Sequence, residues 1–191
     1  MQEMQIGNLN MTNSLQEQFN KEIAKKLQAE FKINNPNAIP MLKKIIINMG
    51  VKDALTDKKN IERETETLAL IAGQKPKVMK AKQSIAAFKL REGDQIALMV
   101  TLRGKRMYDF YQKLVNIVFP RFRDFHGVKP ESFDGHGNYT LGFAETTVFP
   151  EIDPSKIDRI QGLEISIVTT AGTNEKGFAL LKALGMPFKK D

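Results

Sequence analysis

The sequence predicts an α+β fold in two layers, a mainly antiparallel β-sheet backed by helices on one face. Three observations predict it. Segments around 44–49 and 96–103 alternate with the period of two that a half-buried strand needs. Other segments repeat apolar residues three and four apart, the spacing of an amphipathic helix. The elements run α, β, α, two or three strands, α, strands, α, with no βαβ rhythm and no internal repeat.

Thr12, Asn13 and Ser14 offer caps to a first helix whose Leu15, Phe19, Ile23, Leu27 and Phe31 share one stripe at spacing four. Asn34-Asn35-Pro36-Asn37 breaks that helix. In the strand that follows, Ile45, Ile47 and Met49 point one way and Lys44, Ile46 and Asn48 the other, until Gly50 ends it. Residues 57–72, from Asp57 on, predict a second helix with Ile61, Leu68 and Ile71 as its apolar face and Gly73 just past its end. Beyond Pro76 comes a short strand around Val78 and then a basic loop. In the next strand Ile96, Leu98, Val100 and Leu102 face one side, and Ala97, Met99, Thr101 and Arg103 the other, before Gly104 turns the chain. Met107, Phe110, Tyr111, Leu114, Val115 and Val118 predict a third helix that Pro120 interrupts. A loop rich in Gly, Asp and His reaches Asn138, residues 139–149 read as extended, and Leu163, Ile165 and Ile167 mark a further strand. The closing helix takes Asn174 as its cap, Phe178, Leu181 and Leu184 as its stripe, and Gly185 with Pro187 as its stop.

With 191 residues and 41% hydrophobic content, the chain can bury one sizeable core. The 29 Lys and Arg against 22 Asp and Glu leave a net charge of +7, which favours a polyanionic partner. Charge alone leaves nucleic acid and anionic membrane both open. The absence of cysteine excludes disulfides, thiolate metal sites and Cys nucleophiles, and fits a reducing compartment. Apolar runs such as 115–119 fall far short of the roughly 20 residues that span a bilayer. Residues 1–13 carry neither an apolar signal region nor the Arg-rich amphipathic character of a transit peptide. They are expected to be a disordered extension of a cytoplasmic protein, with 14–191 forming a single α+β domain. On the first helix, the best membrane-surface candidate, Lys21, Lys25, Lys26 and Lys32 alternate with Glu17, Glu22 and Glu30. Its apolar stripe is what any core-facing helix shows, so no membrane partner is expected.

Enzyme signatures fail on spacing. His126 and His136, with Asp124 and Asp134 nearby, lack a third neutral ligand for a metal. Ser132, Asp134 and His136 are too close in sequence to form a triad without strain. Gly135-His136-Gly137 has no third glycine and does not lie between a strand and a helix, and no phosphate-binding GxxxxGK[ST] run occurs. Glu151, Asp153 and Asp158 read as a solvated acidic face. No cofactor and no catalytic residue are expected.

Charge is distributed unevenly. Residues 75–91 hold Lys75, Lys77, Lys80, Lys82, Lys89 and Arg91 and no acid, whereas 145–164 hold five acids against two bases. Lysines in a loop with Gln83 and Ser84 as extra donors suit phosphate neutralisation, and small Ala81, Ala86 and Ala87 let a ligand approach the backbone. The alternative is an ordinary solvated loop. On the sheet, Lys44, Asn48, Thr101 and Arg103 fall opposite the apolar face. Such a surface can bond ribose hydroxyls and phosphates across a shallow RNA minor groove; a half-exposed sheet with no partner is the other reading. No aromatic pair on these strands supports single-strand stacking.

The segments Lys44-Ile45-Ile46-Ile47-Asn48-Met49-Gly50-Val51, Gly73-Gln74-Lys75-Pro76, Val100-Thr101-Leu102-Arg103-Gly104, Pro120-Arg121-Phe122-Arg123-Asp124-Phe125, Ser132-Phe133-Asp134-Gly135-His136-Gly137-Asn138-Tyr139 and Phe149-Pro150-Glu151-Ile152 occur in this order. Together, over residues 15–190, they closely resemble the bacterial form of the large-subunit ribosomal protein five family, which binds 5S ribosomal RNA. The resemblance implies a non-enzymatic ribosomal protein in the cytoplasm, seated in the central protuberance with its sheet face on 5S rRNA and other large-subunit rRNA nearby. It implies Asn48, Gln74 and Thr101 as polar RNA contacts; Lys44 and Arg103 from strand parity, and Lys75 and Lys77 from the basic run, are the cations expected to bind 5S rRNA beside them. It also implies a projecting loop at 80–88 whose Lys80, Lys82, Gln83, Ser84 and Phe88 reach the peptidyl-site tRNA. Residues 121–145 would face the small subunit and its ribosomal protein thirteen. A basic RNA-modifying enzyme or a peripheral membrane protein would be the alternatives. Gln83 stands where the family usually carries a second cation and His136 where an arginine is frequent, so both positions hold less fixed charge.

Overall fold

The alternation of residue types along the strands becomes an alternation of burial. In strand β1 (Leu42–Gly50), Ile45, Ile47 and Met49 are fully buried while Asn48 is exposed. In β3 (Gln95–Leu102), Leu98, Val100 and Leu102 are buried and Met99 and Thr101 are only half covered. With β2 (Lys77–Lys80), β4 (Tyr139–Phe143) and β5 (Leu163–Thr169) they form one sheet in the order β2-β3-β1-β5-β4, every neighbouring pair antiparallel. The computed structural model describes residues 14–51, 54, 59–122, 125–156 and 161–189. The expectations placed on residues 1–13, with Thr12 and Asn13 as caps, and on Asp57, Arg123, Asp124 and Asp158 lie outside the described residues.

Helices cover one face of this sheet. The first begins at Ser14, whose Oγ accepts from the Glu17 N–H, and runs through α1 (Leu15–Gln18), a π-helical stretch Phe19–Ile23 and α2 (Ala24–Glu30). The π turn has a cause in the sequence. Apolar residues spaced by four drift about 40° per step around an α-helix of 3.6 residues per turn, and one wider turn brings the stripe back toward the core. The same device recurs where α4 (Gly104–Lys113), on its own spacing Phe110, Leu114, Val118, passes into a π-helical stretch Leu114–Val118. Pro120 then lies within a short 3₁₀ turn, Phe119–Arg121. Apolar spacing alone predicts a plain α-helix in both places.

α3 (Lys59–Ala72) buries Ile61, Leu68 and Ile71 and ends on Gly73 in the left-handed region at φ 63°, as its spacing predicts. Lys113 of α4 fastens it. The ammonium donates to the Ile71 carbonyl at 2.6 Å and to Glu151 Oε1 at 2.6 Å, and lies over the rings of Phe110 and Phe149. Tyr111, fully buried, donates its hydroxyl to the Leu181 carbonyl at 3.3 Å, and burial pushes its phenol pKa far up.

Three expectations need correction. Residues 139–149 are extended only to Phe143, with a 3₁₀ turn at Thr146–Val148. β4 is an edge strand whose neighbour in the sheet, β5, begins at Leu163 opposite Phe143, so β5 offers no ladder past Phe143. In α5 (Asn174–Ala183) the cap is Thr173, whose Oγ1 accepts from the Lys176 N–H, while Asn174 Oδ1 accepts instead from the Gly137 N–H at 3.2 Å. The buried stripe of α5 is Gly177, Leu180 and Leu181, continued by Leu184, and Phe178 is only half buried among Phe133 and Phe188.

Hydrogen bonds tie the stretch 132–139 to β5 and to the start of α5. Asp134 accepts from the backbone N–H groups of His136 and Asn138 and from the Asn138 amide at 2.6 Å. The Asn138 bond above all holds its carboxyl below the usual carboxylate range. Asn138 Oδ1 accepts from the Thr169 N–H, and Thr169 Oγ1 donates to the Gly137 carbonyl. Gly137 (φ 83°) and Gly177 meet backbone to backbone: a Cβ on Gly177 would lie 2.7 Å from the Gly137 carbonyl oxygen. Among the described residues no helix is long and apolar enough to cross a membrane.

Candidate nucleic-acid interface

The strand register fixes which side chains share the uncovered face. One row crosses all five strands as Lys77, Met99, Asn48, Glu164 and Gly142. The next row runs Thr101, Ile46, Ser166 and Thr140, and Lys44 sits beside Val168 in the row after. Asn48 and Thr101 therefore lie one step apart on a diagonal, within reach of a single ligand. The face is not uniformly polar, since Ile46 and Met99 occupy its centre, half covered by their neighbours.

Gln74 joins this face by a route the sequence did not reveal. β2 begins only at Lys77, with Pro76 before it lacking an N–H, so the Thr101 carbonyl lies beyond the paired part of β2. Gln74 Nε2 donates to it at 3.4 Å, and Gln74 Oε1 accepts from Arg106 Nη1 at 3.3 Å. Lys75 and Lys77 are exposed beside it. Arg103 is a correction: β3 stops at Leu102, and Arg103 stands exposed at the N-cap of α4 rather than on the strand. Arg103 is still extended (φ −140°, ψ 162°), and Gly104, with φ 57°, turns the chain directly after it, so Arg103 has no place in the ladder. Lys105 and Arg106 follow Gly104, both exposed, and add two cations that were not singled out from the sequence. Their signal was positional, being the first turn of a helix that starts at the sheet edge.

The charge across this face runs from cations at the β2 edge to a carboxylate on β5. Lysine and arginine at one edge neutralise phosphates without selecting sequence, while the amide, hydroxyl and carboxylate groups further in can select a hydrogen-bonding edge.

The chain between β2 and β3 forms a closed loop. Ala81 is its buried base, not an exposed approach point, because its N–H donates to the Asp94 carbonyl and its carbonyl accepts from Gly93. Ile85 pairs with Leu90, the turn Ala86–Phe88 ends on Lys89 at φ 52°, and Ser84 Oγ accepts from the Glu92 N–H at 2.9 Å. Lys80, Lys82, Gln83, Ser84 and Phe88 are all exposed, Phe88 by 73%. Lys80, Lys89 and Arg91 also line a pocket of about 430 Å³ beneath the loop.

Beyond the helices, Phe119, Phe122, Phe125, Leu141, Phe143 and Val148 line a groove of about 860 Å³. Exposed Arg121, His126, Lys129 and Glu131 belong to the same stretch of chain. Among the described residues no group of three or more metal-ligating side chains converges.

Two family models match, "Ribosomal protein L5" over residues 35–91 and the C-terminal region of the same ribosomal protein family over 95–188. The chain is 54% identical over 180 residues to the large ribosomal subunit protein uL5 of Latilactobacillus sakei, covering 94% of this chain and 100% of that protein. It is 53% identical, with the same coverage, to the proteins of that name from Streptococcus pyogenes and Streptococcus agalactiae. The two matched segments divide the sheet between them, the first supplying β1 and β2 and the second β3, β4 and β5. With these matches spanning the fold, the chain belongs to the ribosomal protein L5 family: it is a structural protein of the large subunit rather than an enzyme, working in the ribosome of the bacterial cytoplasm.

Proposed function

We propose that the uncovered sheet face binds 5S rRNA in the central protuberance, with other large-subunit rRNA nearby. The observation that carries this reading is the placement of Asn48 and Thr101 on one open diagonal. Lys44, Lys75, Lys77 and Arg103 surround them, and Gln74 is pinned to the Thr101 carbonyl. The cations supply salt-dependent affinity and the neutral side chains fix register. The loop at 80–88 reaches the peptidyl-site tRNA: Lys80 and Lys82 meet phosphates, Gln83 and Ser84 bond riboses, and Phe88 stacks on an exposed base or ribose. Residues 121–145, with their aromatic groove, face the small subunit and its ribosomal protein thirteen.

The two RNA sites are separable. Replacing 82–90 by a two-residue Asn-Gly turn leaves Ala81 and its backbone pairing in place. Binding of 5S rRNA, measured by filter retention, is expected to stay within about twofold, since these residues lie off the sheet and supply few of its phosphate contacts. Large subunits reassembled with this variant are expected to hold peptidyl-site tRNA more weakly. Loss of 5S binding with unchanged tRNA binding would reverse the assignment.

A further inference from the structure

Glu164 is an anomaly on a surface assigned to a polyanion. It stands exposed in the middle rows of the open face, and no described cation forms an ion pair with it. A carboxylate is an acceptor only, so beside phosphates it is repulsive unless it meets donors. The structure holds it ready for them. Ser166 Oγ donates to Glu164 Oε1 at 3.1 Å, and the Thr140 hydroxyl lies 3.3 Å from Ser166 Oγ, a line of hydroxyls that restrains the carboxylate on the sheet.

Its two neighbours in the row are informative. On one side the register places Asn48, whose amide carries two N–H donors. On the other stands Gly142, exposed, where an added Cβ would meet nothing within 4 Å, so the surface is open to a flat group. Directly paired side chains in an antiparallel sheet are about 5 Å apart at Cβ, comparable to the width of a base edge. With the amide nitrogen of Asn48 turned to the ligand, the pair presents in sequence across the sheet a donor and then two acceptors. Guanine has the complement on its Watson–Crick edge: the O6 acceptor, then the N1–H and N2–H donors. Adenine sets its N1 acceptor against the carboxylate, whichever way the amide turns. Uracil ends in a second carbonyl that would face the carboxylate, and cytosine carries one donor only.

We propose that Glu164 and Asn48 together read the Watson–Crick edge of an unpaired guanine, with the Glu164 carboxylate accepting from N1–H and N2–H and the Asn48 amide donating to O6. This rests on the assignment of the open face to RNA and names the base that it selects.

The test is Glu164→Gln with 5S rRNA at fixed salt, with kethoxal, which modifies N1 and N2 of unpaired guanines, as the probe. The substitution is nearly isosteric and exposed, so the fold is retained. Removing a negative charge beside phosphates should by itself tighten binding. The proposal requires the opposite: about tenfold weaker binding, the loss expected for one bidentate base contact. One guanine protected in the wild-type complex should also become reactive in the variant. Equal or tighter binding overturns the proposal, as does weaker binding with no guanine protected, which would indicate a carboxylate acting through a bridging cation. If Glu164→Gln is silent while loss of the Asn48 and Thr101 side chains weakens binding, only the guanine contact is wrong. If both are silent, the face itself is misassigned.

Discussion

Asn48→Ala combined with Thr101→Ala is expected to weaken 5S rRNA binding by about thirtyfold at fixed salt. Two neutral hydrogen bonds to RNA at about 1 kcal/mol each give that factor. The stability cost is small by comparison. Asn48 is exposed, and Thr101, half covered, makes no side-chain bond to another element among the described residues, so the fold is expected to lose no more than about 1 kcal/mol, the span of strand propensities. A thermal midpoint near wild type with weakened RNA binding supports the assignment, and unchanged affinity refutes it. Gln74 is a poorer test, because its side chain also bonds the Thr101 carbonyl and Arg106, and its loss would disturb the edge of β3 as well as any RNA contact.

Gly177→Ala is expected to lower the urea midpoint, against the direction that helix propensity gives. Within α5 alanine is favoured over glycine by about 1 kcal/mol. The added methyl, however, falls 2.7 Å from the Gly137 carbonyl oxygen and 2.8 Å from its Cα, both backbone atoms of a loop pinned by Asp134, Asn138 and Thr169. Overpacking of this kind costs about 1–3 kcal/mol, and rigid backbone places the cost toward the upper end, so the net loss is about 2 kcal/mol. A raised midpoint would show that the loop yields and that the clamp on β4 and β5 is softer than its hydrogen bonds imply.

Much of the fold was legible because one-dimensional periodicity maps directly onto burial. Ile45, Ile47 and Met49 could be assigned inward without any knowledge of their partners. Sheet order was not legible, since β1 pairs β5 across more than a hundred residues and nothing in either strand names the other. The site divides along the same line. Asn48 and Thr101 followed from strand parity. Glu164 did not, because its meaning depends on standing opposite Asn48. Gln74 could be matched through the resemblance, yet its bond to the Thr101 carbonyl depends on where β2 begins. Arg103 was misplaced because alternation was carried one residue past the strand's end. Asn174 looked like a cap because Asn is a capping residue, but Thr173 sits at the bend and Asn174 serves the Gly137 loop instead.

The chain has no cysteine, so single cysteines can carry a tethered iron–EDTA cleavage reagent at chosen points. Thr140→Cys and Lys77→Cys place it at the two edges of the open face, and Gln112→Cys on the exposed side of α4, across the helical layer. With RNA seated on the sheet, the first two cut bound 5S rRNA at discrete positions and the third cuts at background level. Cleavage from Gln112→Cys with none from Thr140→Cys or Lys77→Cys would place the RNA on the helices and contradict the account.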